Sequence, residues 1–254
     1  MGLNAYAGIK GSKHDLGSGG TAQATSSNTT EVCVFCHTPH GANNPTDSDG
    51  NVQGAPLWNK SLPSSTYTRY SSLKTSTLDG TEAAVGSVSL ACLSCHDGSQ
   101  AMDVMINRPG SGLYSAGGAE FDSGAIGAMT GSPLPNLGTD LSNDHPISIQ
   151  YAGGGLSYSG GSFGGTKKDS DFATPKTDAV NGNPIWYVDA NTSNTRDKND
   201  MILYTRTVGG TTQPYVECAS CHDPHNETTA GTSSVAFLRT SNANSAVCLA
   251  CHNK

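Results

Sequence analysis

The 254-residue chain has little of what a large hydrophobic core requires. Hydrophobic residues make up 35% of the sequence and charged residues 14%, whereas glycine occurs 31 times. Such low charge does not by itself keep a chain disordered, but the shortage of Leu, Ile and Phe leaves little apolar surface to bury. The interior must therefore be filled by something else, or much of the chain must lie as loops around a rigid object.

Basic charge and long apolar runs are also missing. The formal net charge is −7, which disfavours nucleic-acid binding, because that binding needs a basic face. No stretch approaches the ~18 consecutive apolar residues of a membrane span. The residues after Met1 do not form a basic and then apolar segment, so we expect a processed, exported form from which the signal segment is absent.

Cysteine is absent everywhere except in four copies of the pattern Cys-x-x-Cys-His. In this pattern, two thiols add to the vinyl groups of a haem, and the next histidine binds the iron as its proximal ligand. The four copies predict four covalently bound haem c groups, and we number the motifs one to four along the chain. The attachment cysteines are Cys33 and Cys36, Cys92 and Cys95, Cys218 and Cys221, and Cys248 and Cys251, and the proximal histidines are His37, His96, His222 and His252.

Other uses of paired cysteines explain the pattern less well. Zinc sites use Cys-x-x-Cys pairs, but they do not require a histidine after every pair. Thioredoxin-like redox motifs and four structural disulfides also leave the four adjacent histidines unexplained.

Four further histidines match the four distal ligands that six-coordinate irons require. His40 in "CHTPH" and His225 in "CHDPH" follow a proximal histidine by three residues, too closely to reach the opposite face of the same haem. We therefore expect each of them to bind the iron of a neighbouring haem, with His14 and His145 as the other two distal ligands. Methionine is the alternative distal ligand. The available methionines are Met102, Met105, Met129 and Met201.

Two histidines on every iron would leave no position open for a substrate. This ligation favours plain electron transfer over a multihaem reductase, so we do not expect an enzyme.

Glycine and proline interrupt the chain too often for long regular elements. The predicted fold is mostly irregular coil, with short helices and a few short strands, wrapped around a column of four c-type haems. "PIWYVD" at 184–189 and "MILYTRTV" at 201–208 favour paired strands. We expect one unit, 1–254, composed of a polar arm (1–30), haems one and two (31–97), a middle section without attachment motifs (98–217), and haems three and four (218–254).

With "GSKHDL", "EVCVFCHTPHGAN", "APLWN", "LACLSCHDGSQAMD", "SNDHPI" and "CASCHDPHN", the chain resembles the four-haem extracellular cytochrome nanowires, the OmcE type. The resemblance implies secretion to the cell exterior or surface and head-to-tail polymerisation into a conductive filament. It also implies that one distal histidine comes from the adjacent subunit. We expect this ligand to be His14, because it lies on the terminal arm. A soluble periplasmic shuttle is the alternative. The partners expected are further copies of the chain, redox partners and extracellular electron acceptors.

Overall fold

A computed structural model describes residues 8–27, 29–44, 55–109, 125–131, 135–226 and 237–253. Its largest regular element is a seven-stranded antiparallel sheet in the middle section. The strands are β1 (Ile149–Gln150), β2 (Leu156–Ser159), β3 (Ser162–Gly165), β4 (Lys176–Val180), β5 (Asn183–Val188), β6 (Met201–Val208) and β7 (Thr211–Val216). Their order is β3-β2-β7-β6-β5-β4, with the short β1 also paired to β7.

Two-residue turns join three pairs of these strands. The turns are Gly160-Gly161, Asn181-Gly182 and Gly209-Gly210, and both residues of each turn have positive φ. Turns of this kind match the natural twist of an antiparallel pair, and Gly-Gly and Asn-Gly adopt them with least strain. In this section, glycine therefore forms the turns that connect neighbouring strands.

The predicted fold class, mostly irregular coil wrapped around a haem column, is wrong. The prediction treated glycine as an interruption of regular structure, whereas six turn positions reverse the chain between neighbouring strands. The proposed pairing of 184–189 with 201–208 is confirmed, because Trp186 lies opposite Leu203 and Val188 opposite Met201.

The α-helices are short and contain haem-attachment cysteines. Helix α1 spans Ser87–His96, α2 spans Cys218–Cys221 and α3 spans Ala246–Leu249. Single 3₁₀ turns lie at Tyr70–Leu73, Tyr151–Gly153 and Ala243–Ser245. Within the described ranges, no helix has the length and apolar character needed to cross a membrane.

Two apolar clusters form the core. The smaller contains Leu16, Phe35 and three buried methionines, and Cys36 and Cys95 pack against it. The larger lies on the sheet, and Cys221 and Cys251 pack against it. Its buried members are Tyr151, Ala152, Trp186, Val188, Met201 and Leu203. Each cluster thus joins the cysteines of two consecutive motifs.

Candidate functional site

Each attachment motif forms a single helical turn. The backbone N–H of the histidine donates to the carbonyl of the first cysteine, at 2.8 Å in motif one, 3.1 Å in motif three and 2.9 Å in motif four. Motif two forms the last turn of α1. Residues i, i+3 and i+4 share one face of a helix, so this turn presents both thiols and the imidazole on the same side.

At three motifs, two backbone hydrogen bonds join the motif to a short segment from elsewhere in the chain. At motif one, Thr38 N–H donates to Leu57 O and Asn59 N–H donates to Cys36 O, each at 2.8 Å. At motif three, Asp223 N–H donates to Phe237 O and Arg239 N–H donates to Cys221 O, each at 2.8 Å. At motif four, Asn253 N–H donates to Asp171 O and Ala173 N–H donates to Cys251 O, again at 2.8 Å. These segments fix the chain where it leaves each of the three motifs. Sequence reasoning missed the segment residues at motifs three and four.

Backbone carbonyls orient three of the imidazole rings. His37 Nδ1 lies 2.9 Å from Pro56 O, and His96 Nδ1 lies 2.9 Å from Pro135 O. A carbonyl can only accept, so Nδ1 carries the hydrogen and Nε2 keeps its lone pair for a metal. His145 Nδ1 makes the same bond, 3.0 Å to Pro146 O.

Two pairs of histidine rings lie at the separation that one iron between them requires. The ring centroids of His37 and His225 are 6.0 Å apart, with an angle of 17° between the rings. Those of His14 and His96 are also 6.0 Å apart, at 69°. With metal–nitrogen bonds of about 2 Å on opposite sides of the metal, two such centroids are separated by roughly 6 Å. Each pair combines one proximal and one predicted distal histidine.

The electrostatics of His14 and His145 suit neutral metal ligands. The pKa of His14 is lowered to about 4, chiefly by burial, with smaller contributions from charge repulsion by His96, His222 and His225. His14 also stacks on Phe237, with centroids 4.3 Å apart. Burial likewise lowers the pKa of His145, with a smaller contribution from His252. The imidazole is neutral in both cases, as coordination requires.

The remaining predicted ligand, His40, lies on the surface. Its backbone carbonyl accepts hydrogen bonds from Thr38 Oγ1 at 3.0 Å and from Asn107 Nδ2 at 2.7 Å. These bonds fix the "CHTPH" turn and leave the ring exposed.

The cysteines of motifs one, two and three lie in close succession. Cys36 and Cys95 both pack against the smaller cluster, and charge repulsion from Cys95 contributes to the raised pKa of Cys36. Cys92 donates a hydrogen bond to Cys218, which raises the pKa of Cys92 and lowers that of Cys218. Cys92 and Cys218 would hold the haems of motifs two and three at neighbouring positions in the fold.

Motif four continues the series. Burial raises the pKa of Cys221 to about 11, and Cys218 and Cys248 add repulsion. Cys251 has its pKa raised to about 12 by burial, with Cys221 as the next cause. The structure thus arranges the motifs in the order one, two, three, four.

A buried ion pair supports the junction of motifs two and three. Arg206 Nε lies 2.9 Å from Glu217 Oε1, and both side chains are fully buried. Ser89 Oγ donates to Glu217 Oε2 at 2.5 Å, which ties α1 to the residue before α2. Arg206 Nη1 also donates to Ala84 O at 2.7 Å. The pair joins β6, α1 and α2.

The residues at motif one fit a haem. The Trp58 Nε1–H is buried without a partner among the described residues, and the Trp58 ring meets His37 edge-on at 6.3 Å. A haem has carboxylate groups that accept such a donor. No disulfide joins any of the eight cysteines, and no group of three or more His, Cys, Asp or Glu in the described ranges is arranged around a separate metal site.

The candidate methionines occupy the two core clusters. Met102, Met105 and Met129 are buried with Leu16 and Phe35, and Met201 is fully buried in the sheet core. Their packing gives them a structural role there.

The comparison with known families agrees with this geometry. The family described as "Doubled CXXCH motif" matches residues 213–254, which contain motifs three and four. No curated protein matches the chain. The motifs and the match define a protein of the multihaem c-type cytochrome kind, with covalently bound haem c and a part in electron transfer.

Proposed function

We propose that the chain holds four c-type haems, each with two axial histidines, and conducts electrons along them in the order of the motifs. The observation that carries the proposal is the 6.0 Å separation of the ring centroids, both between His37 and His225 and between His14 and His96. The charge of His252 contributes to the lowered pKa of His145, which supports His145 and His252 as a third pair. Elimination then assigns His40 to the iron bound by His222.

Paired ligands favour electron transfer over the alternative of a reductase with an open iron. An iron held by two imidazoles has no free position for a substrate. The succession of cysteines from Cys36 to Cys251 supports short distances between neighbouring haems, and electron tunnelling becomes faster as that distance falls. The role of the protein is then to hold the haem edges close together and to fix the rings of His37, His96 and His145 through their Nδ1 hydrogen bonds.

We further propose that copies of the chain polymerise head to tail into an extracellular conductive filament of the OmcE type. A contact between two different faces of identical subunits produces an open helical fibre when the rotation between neighbouring subunits does not close into a ring. His14 stays the ligand predicted to cross the interface, but its place beside His96 of its own chain favours an internal role.

The ligand pairs are tested by removing His225. His225→Ala is expected to convert one haem from low-spin to high-spin, measured by electron paramagnetic resonance of the oxidised protein. In a chain that also carries Cys33→Ser and Cys36→Ser, His225→Ala should add no high-spin signal, because the haem that it serves is absent. In a chain with Cys218→Ser and Cys221→Ser, the signal should still appear. The opposite dependence would refute the pairing.

Cryo-electron microscopy of protein sheared from native cells tests the assembly. Filaments with one continuous haem chain would support the conduit and identify the histidine that crosses the interface. Dispersed particles in which all eight histidines close within one chain would support the soluble periplasmic shuttle.

A further inference from the structure

Lys60 is a buried cation at the junction of motifs one and two. It is 1% exposed, and its ammonium donates to Met102 O at 2.8 Å and to Val104 O at 2.9 Å. Among the residues that the structure describes, no carboxylate forms an ion pair with it. An ammonium is rarely buried without a paired anion, because the loss of hydration is costly.

The Lys60 ammonium lies beside the cysteines of both motifs. It donates to the carbonyl of Met102, which belongs to the smaller cluster, and Cys36 and Cys95 pack against that cluster. The neighbouring Asn59 donates its backbone N–H to Cys36 O at 2.8 Å. The ammonium therefore lies within electrostatic reach of the thioether edge of each haem that these motifs would hold.

We propose that Lys60 raises the reduction potentials of the haems bound at motifs one and two relative to those at motifs three and four. The inference rests on the proposed function, since it requires haems at these motifs. When an external one-electron donor reduces an iron centre, the positive charge of that centre falls by one unit. A fixed cation nearby repels the oxidised state more than the reduced state, and the low dielectric of a buried site strengthens the effect.

The corresponding charge at motifs two and three is balanced. Glu217 lies next to Cys218 and accepts a hydrogen bond from Ser89 of α1, but Arg206 contacts it at 2.9 Å. Above pH 7, where Glu217 is ionised, the pair carries no net charge and biases its neighbours less than a single ammonium does. Lys60 thus biases the first two motifs toward higher potential.

Lys60→Gln is the decisive variant. The introduced amide can donate to the carbonyls of Met102 and Val104, but it carries no charge. We expect spectroelectrochemical titration to show a shift to lower potential in the part of the curve that belongs to two of the four haems. Lys60→Arg, which keeps the charge, should retain the wild-type curve. Lys74→Met, which removes an exposed ammonium, should also leave it unchanged because solvent screens that charge.

The haem content and spin state are measured on the same samples, which separates the two proposals. Fewer than four haems by intact mass, or high-spin irons in the wild type, would count against the proposed function. A Lys60→Gln protein with four low-spin haems and an unchanged titration would overturn the role of Lys60. Loss of a haem in Lys60→Gln, without any shift in the others, would assign Lys60 to structure and would also overturn it.

Discussion

Glu217→Gln tests whether the ion pair at the junction of motifs two and three makes the stability of the fold depend on pH. Burial raises the pKa of Glu217 from 4.5 to about 7, against the opposing charge of Arg206 and the hydroxyls of Ser89 and Ser148. Glu217 is 1% exposed, so solvent screens this effect little.

The direction of the effect follows from proton binding. A carboxyl group with a raised pKa holds its proton more tightly in the folded than in the unfolded chain. Its contribution to stability is therefore complete below pH 4.5 and is lost as the pH rises through about 7. At about 1.4 kcal/mol for each pH unit of this interval, the loss amounts to about 3 kcal/mol.

Denaturant unfolding followed by far-UV circular dichroism measures the prediction. Near pH 4 the glutamine introduced by Glu217→Gln mimics the protonated carboxyl, so the variant and the wild type should have similar free energies of unfolding. Near pH 8 the variant should be the more stable, by about 3 kcal/mol. Removing one partner of a buried ion pair usually destabilises a protein, because the other charge is left unpaired. A more stable variant near pH 8 would therefore show that burying the Glu217 carboxylate costs more than its attraction to Arg206 returns.

Asp178→Asn provides the matched control. Asp178 pairs with Arg196 at 3.1 Å on the surface, and hydrogen bonds from Ala179 N and Arg196 hold its pKa below the ordinary value. Asp178→Asn should therefore not show the gain in stability over the wild type that Glu217→Gln shows as the pH rises from 4.5 to 7. A wild-type advantage over Glu217→Gln near pH 8, or two parallel curves, would refute the reasoning.

Two further pairs of variants test the sheet. Met201→Ala, at a fully buried position opposite Val188, should lower the free energy of unfolding by about 2–5 kcal/mol. Val180→Ala, at an exposed position on β4, should lower it much less, and equal losses in denaturant unfolding would contradict the assigned core. Gly182→Ala should lower the free energy of unfolding by about 1–2 kcal/mol, because φ is +78° there with open space around it. Asn181→Gly, at the neighbouring turn position with φ of +51°, should lower it less, and a neutral Gly182→Ala would argue against the turn geometry.

The haem-attachment residues could be read directly from the sequence because their chemistry is local. Two thiols and one imidazole act from a single helical turn, so five consecutive residues carry the whole signal. The pairing of β5 with β6 was also predictable, since both segments are rich in β-branched and aromatic residues. The remaining hairpins were missed, although Gly-Gly and Asn-Gly at 160–161, 181–182 and 209–210 are recognisable turn pairs.

The sequence therefore determined the cofactor class, the attachment cysteines and the supply of histidines. The tertiary structure decided which of those histidines meet, because His14 reaches His96 and His225 reaches His37 only after distant segments pack together. It also decided where Lys60 is buried and that Arg206 contacts Glu217. Ligand pairing and burial depend on long-range contacts, and no local pattern of residues encodes those contacts by itself.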